Sequence, residues 1–232
     1  MRESISVTRE TLRRLFFQRC FYLFVTLLAL ITLAPFSDDG PRGIIVRNLT
    51  NTFVVLSAVA AVGRSALSFL VVLGLALPAL TLRWLSFESG NSMLFDVALH
   101  FDAAIYLATI ALLLRYVFDR EVLTSDRLWG AASAYLMIGV LWSFLYAIVD
   151  RAHPVSFSIR GSAGSMELAD LLYFSFSTLT TTGFGDIVAL TRPARSAVII
   201  ESIIGQLFLA ILIARLVGVY PPAPRRTARS PS

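Results

Sequence analysis

The chain of 232 residues is 56% hydrophobic and only 15% charged, with a mean hydropathy of +0.74 and a net charge of +5. A soluble domain must cover itself with polar side chains, so this balance excludes one and indicates an integral membrane protein. The basic residues are all arginine; in a bilayer their use is to orient helices, and no nucleic-acid partner is expected.

A hydrocarbon core about 30 Å thick takes about 20 apolar residues per helical span. Six stretches of suitable length lie near 20–36, 44–62, 66–86, 93–117, 128–149 and 195–219. Arg13, Arg14 and Arg19 precede the first like the basic region of a signal peptide, but the apolar run is long and no A-x-A site follows, so a retained anchor is expected. The second carries Arg47, Asn48 and Asn51 in its first turns, which suits a tilted or half-interfacial helix. Cys20 is the single cysteine, which excludes a disulfide within the chain, and no Cys/His cluster has metal-ligand spacing.

Arginine counts set the expected orientation, because positive loops are retained in the cytoplasm. With the N-terminus inside, thirteen arginines (2, 9, 13, 14, 19, 64, 115, 120, 127, 215, 225, 226 and 229) face the cytoplasm and seven (42, 47, 83, 151, 160, 192 and 195) face outward. Both termini are then cytoplasmic. The segment 1–19 precedes a four-helix peripheral domain, 20–127, and a second membrane domain, 128–219. The tail 220–232, PPAPRRTARSPS from Pro221 on, is too short and polar to fold alone.

Between the fifth and sixth spans lies a helical stretch, 167–180, of 14 residues, ELADLLYFSFSTLT, about 21 Å long at 1.5 Å per residue. It cannot cross. A re-entrant helix is expected, with Glu167 and Asp170 at its positive outer end and its negative end toward the membrane centre. The residues that follow, Thr181, Thr182, Gly183, Phe184, Gly185 and Asp186, must return to the surface as non-helical backbone, which lipid does not tolerate unless protein buries it or it lines a watery path. Gly183 and Gly185 allow backbone angles that let consecutive carbonyls point to one side. Rows of carbonyls facing an axis suit a dehydrated cation.

The segment TTTGFGD resembles the Thr-Val-Gly-Tyr-Gly-Asp signature of the tetrameric potassium channels, with Thr182 at the Val place and Phe184 at the Tyr place. The resemblance runs from Leu128 to Val219, as outer helix, pore helix 167–180, filter 181–186 and inner helix 195–219. It implies an all-α integral membrane fold of six transmembrane helices with a re-entrant pore helix and filter loop, assembled as a homotetramer around a central pore. Filter carbonyls of that family replace the hydration shell of the ion, so the resemblance implies potassium sites at Thr181, Thr182, Gly183 and Phe184. It also implies K+ and membrane lipids as the other partners, no cofactor beyond bound potassium ions, and a place in a bacterial cytoplasmic membrane.

The departures from the family pattern are specific. Phe184 stands where many relatives have a tyrosine that bonds a pore-helix tryptophan, and the matching pore-helix place holds Phe174. Losing both halves of a hydrogen bond is nearly neutral, whereas losing one costs about 1–3 kcal/mol, so the paired change implies a filter packed by aromatic contact. Tyr173, where relatives often use tryptophan, is placed to bond Asp186 or to lie as an interfacial aromatic. Ser177 stands where some members carry a glutamate behind the filter, and Glu201 in the last span is a substitute or a static partner of pore-helix hydroxyls. Gly205 matches the hinge glycine of the family's inner helix, or it allows close packing against the pore helix.

The fourth span has only Arg115 near its inner end and no arginine repeat, so steep voltage gating is not expected. Asp96 and His100 share a helical face and Asp102 follows; pairing with Arg47 or Arg83 is the simplest use for them. The two histidines accompany no G-x-S-x-G or H-E-x-x-H motif, and no enzyme is expected. The filter substitutions leave a nonselective monovalent cation channel or a non-conducting membrane subunit as the alternatives to a potassium-selective channel.

Overall fold

The computed structural model describes residues 19–36, 40–63, 65–119, 124–164 and 166–219. The N-terminal segment before Arg19 and the tail 220–232 lie outside the described residues, as do the expectations that fell on them. The described residues are mostly helical, and six helices among them are long and apolar enough to cross a membrane. They are α1 (Arg19–Leu33, prolonged by a short 3-10 turn, Ala34–Phe36), α2 (Pro41–Val62), α3 (Ala66–Ser89), α4 (Ser92–Val117), α5 (Ser125–Ala152) and α7 (Arg192–Val219). The short helix α6 (Leu168–Leu179) lies between α5 and α7.

Local chemistry sets the helix ends. Pro41 opens α2, where its missing N–H costs nothing. The Ser65 hydroxyl accepts from Ser68 N at 3.1 Å and caps α3, and the Asn91 side chain caps α4 by accepting from Met93 N at 2.9 Å. Gly90, at φ 63°, turns the chain from α3 into α4 in a left-handed conformation that suits glycine.

Helices α1 and α4 pack on α5, α2 and α3 join them through α1 and α4, and α6 and α7 also pack on α5. Asn48 and Asn51, which made the second span look half-interfacial, are buried inside this bundle, and α2 is a continuous helix. Asn51 Nδ2 donates to Asp102 Oδ1 at 3.3 Å, and its carboxamide oxygen accepts from the Tyr106 hydroxyl at 3.1 Å. Arg83 closes the cluster by pairing with Asp102 Oδ2 at 3.2 Å, as expected for one of the fourth-span acids. Asp96 differs from expectation: its carboxylate pairs with Arg151 of α5, and His100 Nδ1 contacts the Asp96 carbonyl at 2.7 Å. The reason is angular, since six helical residues turn Asp96 and Asp102 to faces roughly 120° apart.

Three short strands join the two ends of the α5–α7 connection: β1 (Phe157–Ile159), β2 (Ser162–Ala163) and β3 (Ile187–Ala189). They form an antiparallel sheet in the order β2-β1-β3. Arg160 and Gly161, both at positive φ, make the two-residue turn between β1 and β2. This sheet was not expected from the sequence.

Candidate functional site

Helix α6 buries apolar side chains together with three hydroxyls. Leu171, Leu172, Phe174, Ser175, Ser177, Thr178 and Leu179 are all buried. At 12 residues it is about 18 Å long, shorter than a bilayer core. Glu167 and Thr180, which bounded the expected helix, serve as its caps.

Beyond Thr180 the backbone leaves the helix in an unusual conformation. Thr181, Gly183 and Gly185 have φ of 57°, 56° and 77°, while Thr182 and Phe184 between them are not in the positive-φ region. Alternation of this kind turns successive carbonyls to the same side and successive N–H groups to the other. A β-branched residue at positive φ is a true outlier, and such strain persists where surrounding structure imposes it. Here Ser177 imposes it. Its carbonyl accepts from Thr182 N at 2.9 Å and Gly183 N at 3.1 Å, and its hydroxyl accepts from Phe184 N at 3.4 Å. Among the described residues, no hydrogen bond is accepted by the carbonyls of Thr181, Thr182, Gly183 or Phe184. Those residues are exposed on the surface of the single chain, Phe184 to 68%.

Asp186 ends the segment, held from three directions. The Tyr173 hydroxyl donates to Asp186 Oδ2 at 3.0 Å, Ile187 N donates to Oδ1 at 3.1 Å, and Arg160 N donates to the Asp186 carbonyl at 2.7 Å. The sheet therefore anchors the end of the loop through β1 and β3. Phe184 stacks on Tyr173, with ring centroids 6.0 Å apart. Within the chain the anticipated partnership of Phe184 with Phe174 is not found. The Phe174 ring lies 5.2 Å from Tyr146 and 5.5 Å from Phe157, because α6 turns it toward α5 and away from the loop.

Glu201 is fully buried where α7 crosses α5 and α6. One carboxylate oxygen accepts from Ser175 Oγ at 2.5 Å and the other from the Tyr146 hydroxyl. Ser175 also reaches the Gly139 carbonyl at 2.7 Å, so a single carboxylate links three helices. Ser175 is one of the pore-helix hydroxyls expected from the sequence; Tyr146 and Gly139 were missed. Gly139 carries a legible signal, a glycine inside an apolar span, and a Cβ there would meet Phe176 Cζ at 2.6 Å. Gly205 is a second close approach: a Cβ there would lie 2.4 Å from the Leu179 carbonyl oxygen at the end of α6.

Residues 131–220 match a protein-family model described as ion channel. The match takes in α6, the loop 181–186 and α7, together with α5 from Ala131 on. It supports passive ion conduction across a membrane and points to a channel rather than an enzyme. No curated protein and no solved structure matches the chain.

Proposed function

We propose that the chain is the subunit of a homotetrameric, potassium-selective channel in which residues 181–186 of four copies surround a common axis. The observation that carries this reading is the polarity of the loop backbone. The N–H groups of Thr182, Gly183 and Phe184 are taken up by Ser177, and among the described residues nothing donates to the carbonyls from Thr181 to Phe184. Unpartnered carbonyls in a membrane are costly unless water or an ion completes them, and a ring of them suits a dehydrated monovalent cation. One chain supplies one such strand. The exposure of Phe184 and of the apolar α7 residues Ile203, Leu207 and Ile211 leaves a face for other copies to cover.

In this reading α6 is a re-entrant pore helix whose C-terminal end points at the ions, and its negative end favours a cation there. Tyr173, Ser177 and Glu201 hold the filter from behind, and Phe174 ties the pore helix to α5. Gly205 serves as hinge or packing site of the inner helix. Both termini face the cytoplasm of a bacterial cell, following the arginine bias. Voltage dependence is weak, because α4 offers Arg115 near one end while its buried charge, Asp102, is locked to Arg83.

The test is flux through liposomes holding the purified protein. A potassium gradient is expected to drive flux and an equal sodium gradient is not. Equal flux with both ions would favour the nonselective reading, and silence in both from verified tetramers would sink conduction altogether.

Tyr173→Phe removes one of the three bonds on Asp186 and nothing from the tetramer contacts proposed above. Loss of a hydrogen bond of about 1 kcal/mol corresponds to about a fivefold shift in the equilibrium between intact and collapsed outer mouth. The variant is expected to assemble normally and to show a faster decline of potassium current after opening, read in planar-bilayer recordings. An unchanged decline would show that the hydroxyl contributes nothing to the filter.

A further inference from the structure

Away from the loop, at the end of the four-helix domain where α3 turns into α4, lies a cavity of about 230 Å³. Its rim, Gly90 to Ser92, is exposed. Arginines from three different helices line it: Arg47 of α2, Arg83 of α3 and Arg151 of α5, with Asn48 beside them. Among the described residues, no aspartate or glutamate lines it. The acids that pair with two of these arginines, Asp102 with Arg83 and Asp96 with Arg151, therefore hold the guanidinium groups in place from outside the cavity.

Arg83 is the informative member. It is only 3% exposed, pairs with Asp102 Oδ2 through a terminal nitrogen at 3.2 Å, and lines the cavity. A guanidinium presents five N–H donors in a fixed fork, more than a single carboxylate oxygen takes up. The N-terminus of the 26-residue α4 opens at the same place, Asn91 and Ser92 both lining the cavity. First-turn N–H groups and the positive end of the helix dipole add to the attraction for an anion.

We propose that this cavity binds a phosphate-bearing anion. A carboxylate offers two oxygens in one plane and suits a single fork, whereas a tetrahedral phosphate presents acceptors in several directions and suits arginines arriving from three helices. Arg83 sits six residues before the end of α3, about 9 Å along the axis. A free phosphate entering from solution and the headgroup of a phospholipid in the adjoining leaflet both satisfy this chemistry. The site is independent of the conduction reading, since none of its residues belongs to the loop or to the helices α6 and α7.

The full-length protein in phospholipid-free detergent is titrated with inorganic phosphate, and separately with short-chain phosphatidylglycerol against diacylglycerol of the same chains. Thermal stability and retention of ligand in native mass spectra are the readouts. A saturable rise in melting temperature is expected, with affinity reduced roughly tenfold by loss of a charge-assisted bond in Arg151→Gln and in Arg83→Gln/Asp102→Asn. The double variant removes both buried charges together, and the exposed Arg151 provides a variant that folds regardless. A response to both probes assigns the site to phosphate itself, and a response to phosphatidylglycerol alone assigns it to a lipid headgroup. No response to either probe, or a response unchanged in Arg151→Gln, overturns the proposal.

Discussion

Arg83→Gln is expected to lower the stability of the protein by about 3–5 kcal/mol, the cost of leaving one partner of a buried ion pair uncompensated. The carboxylate of Asp102 is fully buried, and without Arg83 its remaining bond is the 3.3 Å contact from Asn51. The guanidinium also lies 5.8 Å from the centre of the Phe144 ring on α5, so its loss loosens the contact between the four-helix domain and the next span. Asp102→Asn strands the arginine instead and is expected to cost a similar amount. The double variant Arg83→Gln/Asp102→Asn replaces two charges by two amides able to bond each other, and most of the loss is expected to return. Thermal melting of the purified protein in detergent measures all three. If Arg83→Gln melts with the native protein, the pair is solvated and contributes nothing to the packing of α2, α3 and α4. The same lock bears on gating: a helix whose central acid is tied to its neighbour, and which has Arg115 as its basic residue, has little charge free to move through the membrane field.

The helices were legible because in a bilayer length and hydropathy decide them. Expected and observed ends of the six spans agree to within a few residues, and the short helix between the fifth and sixth was expected at 167–180 and runs Leu168–Leu179. What escaped depends on packing between distant segments. The sheet pairs Phe157–Ile159 with Ile187–Ala189, strands of three residues that no periodicity can announce. Tyr146 gave no sign of reaching Glu201, because that bond exists only once α5 and α7 are set side by side. Asp96 and Asp102 lie six residues apart on α4, and helical geometry alone gives them different faces and hence different partners, Arg151 and Arg83. Phe174 and Phe184 were linked through a family pattern, and within the chain each found a different tyrosine, Tyr146 and Tyr173.

Gly205→Ala is expected to destabilise the packing of α7 on α6 by about 1–3 kcal/mol or more, the usual cost of forcing a methyl group into a packed contact. The added Cβ would lie 2.4 Å from the Leu179 carbonyl oxygen, 3.0 Å from its Cδ1 and 3.2 Å from its carbonyl carbon. A backbone carbonyl cannot rotate away as a side chain can, so either α7 moves off α6 or the end of α6 shifts and carries Thr180 and Thr181 with it. Alanine gains about 1 kcal/mol over glycine in a helix, which is too little to offset that displacement. Two other glycines separate the effects. At Gly218 nothing lies within 4 Å of the added Cβ, so Gly218→Ala is expected to be neutral or slightly stabilising. At Gly139 the obstacle is the Phe176 ring at 2.6 Å, a side chain able to turn, so Gly139→Ala is expected to cost less than Gly205→Ala. Melting of the three variants orders these costs, and flux from the survivors separates packing from bending. A glycine kept for close approach shows its loss in stability, whereas one kept as a hinge leaves melting intact and suppresses opening. Gly205→Ala that melts and conducts like the native protein would mean that α7 stands further from the end of α6 than the 2.4 Å contact requires.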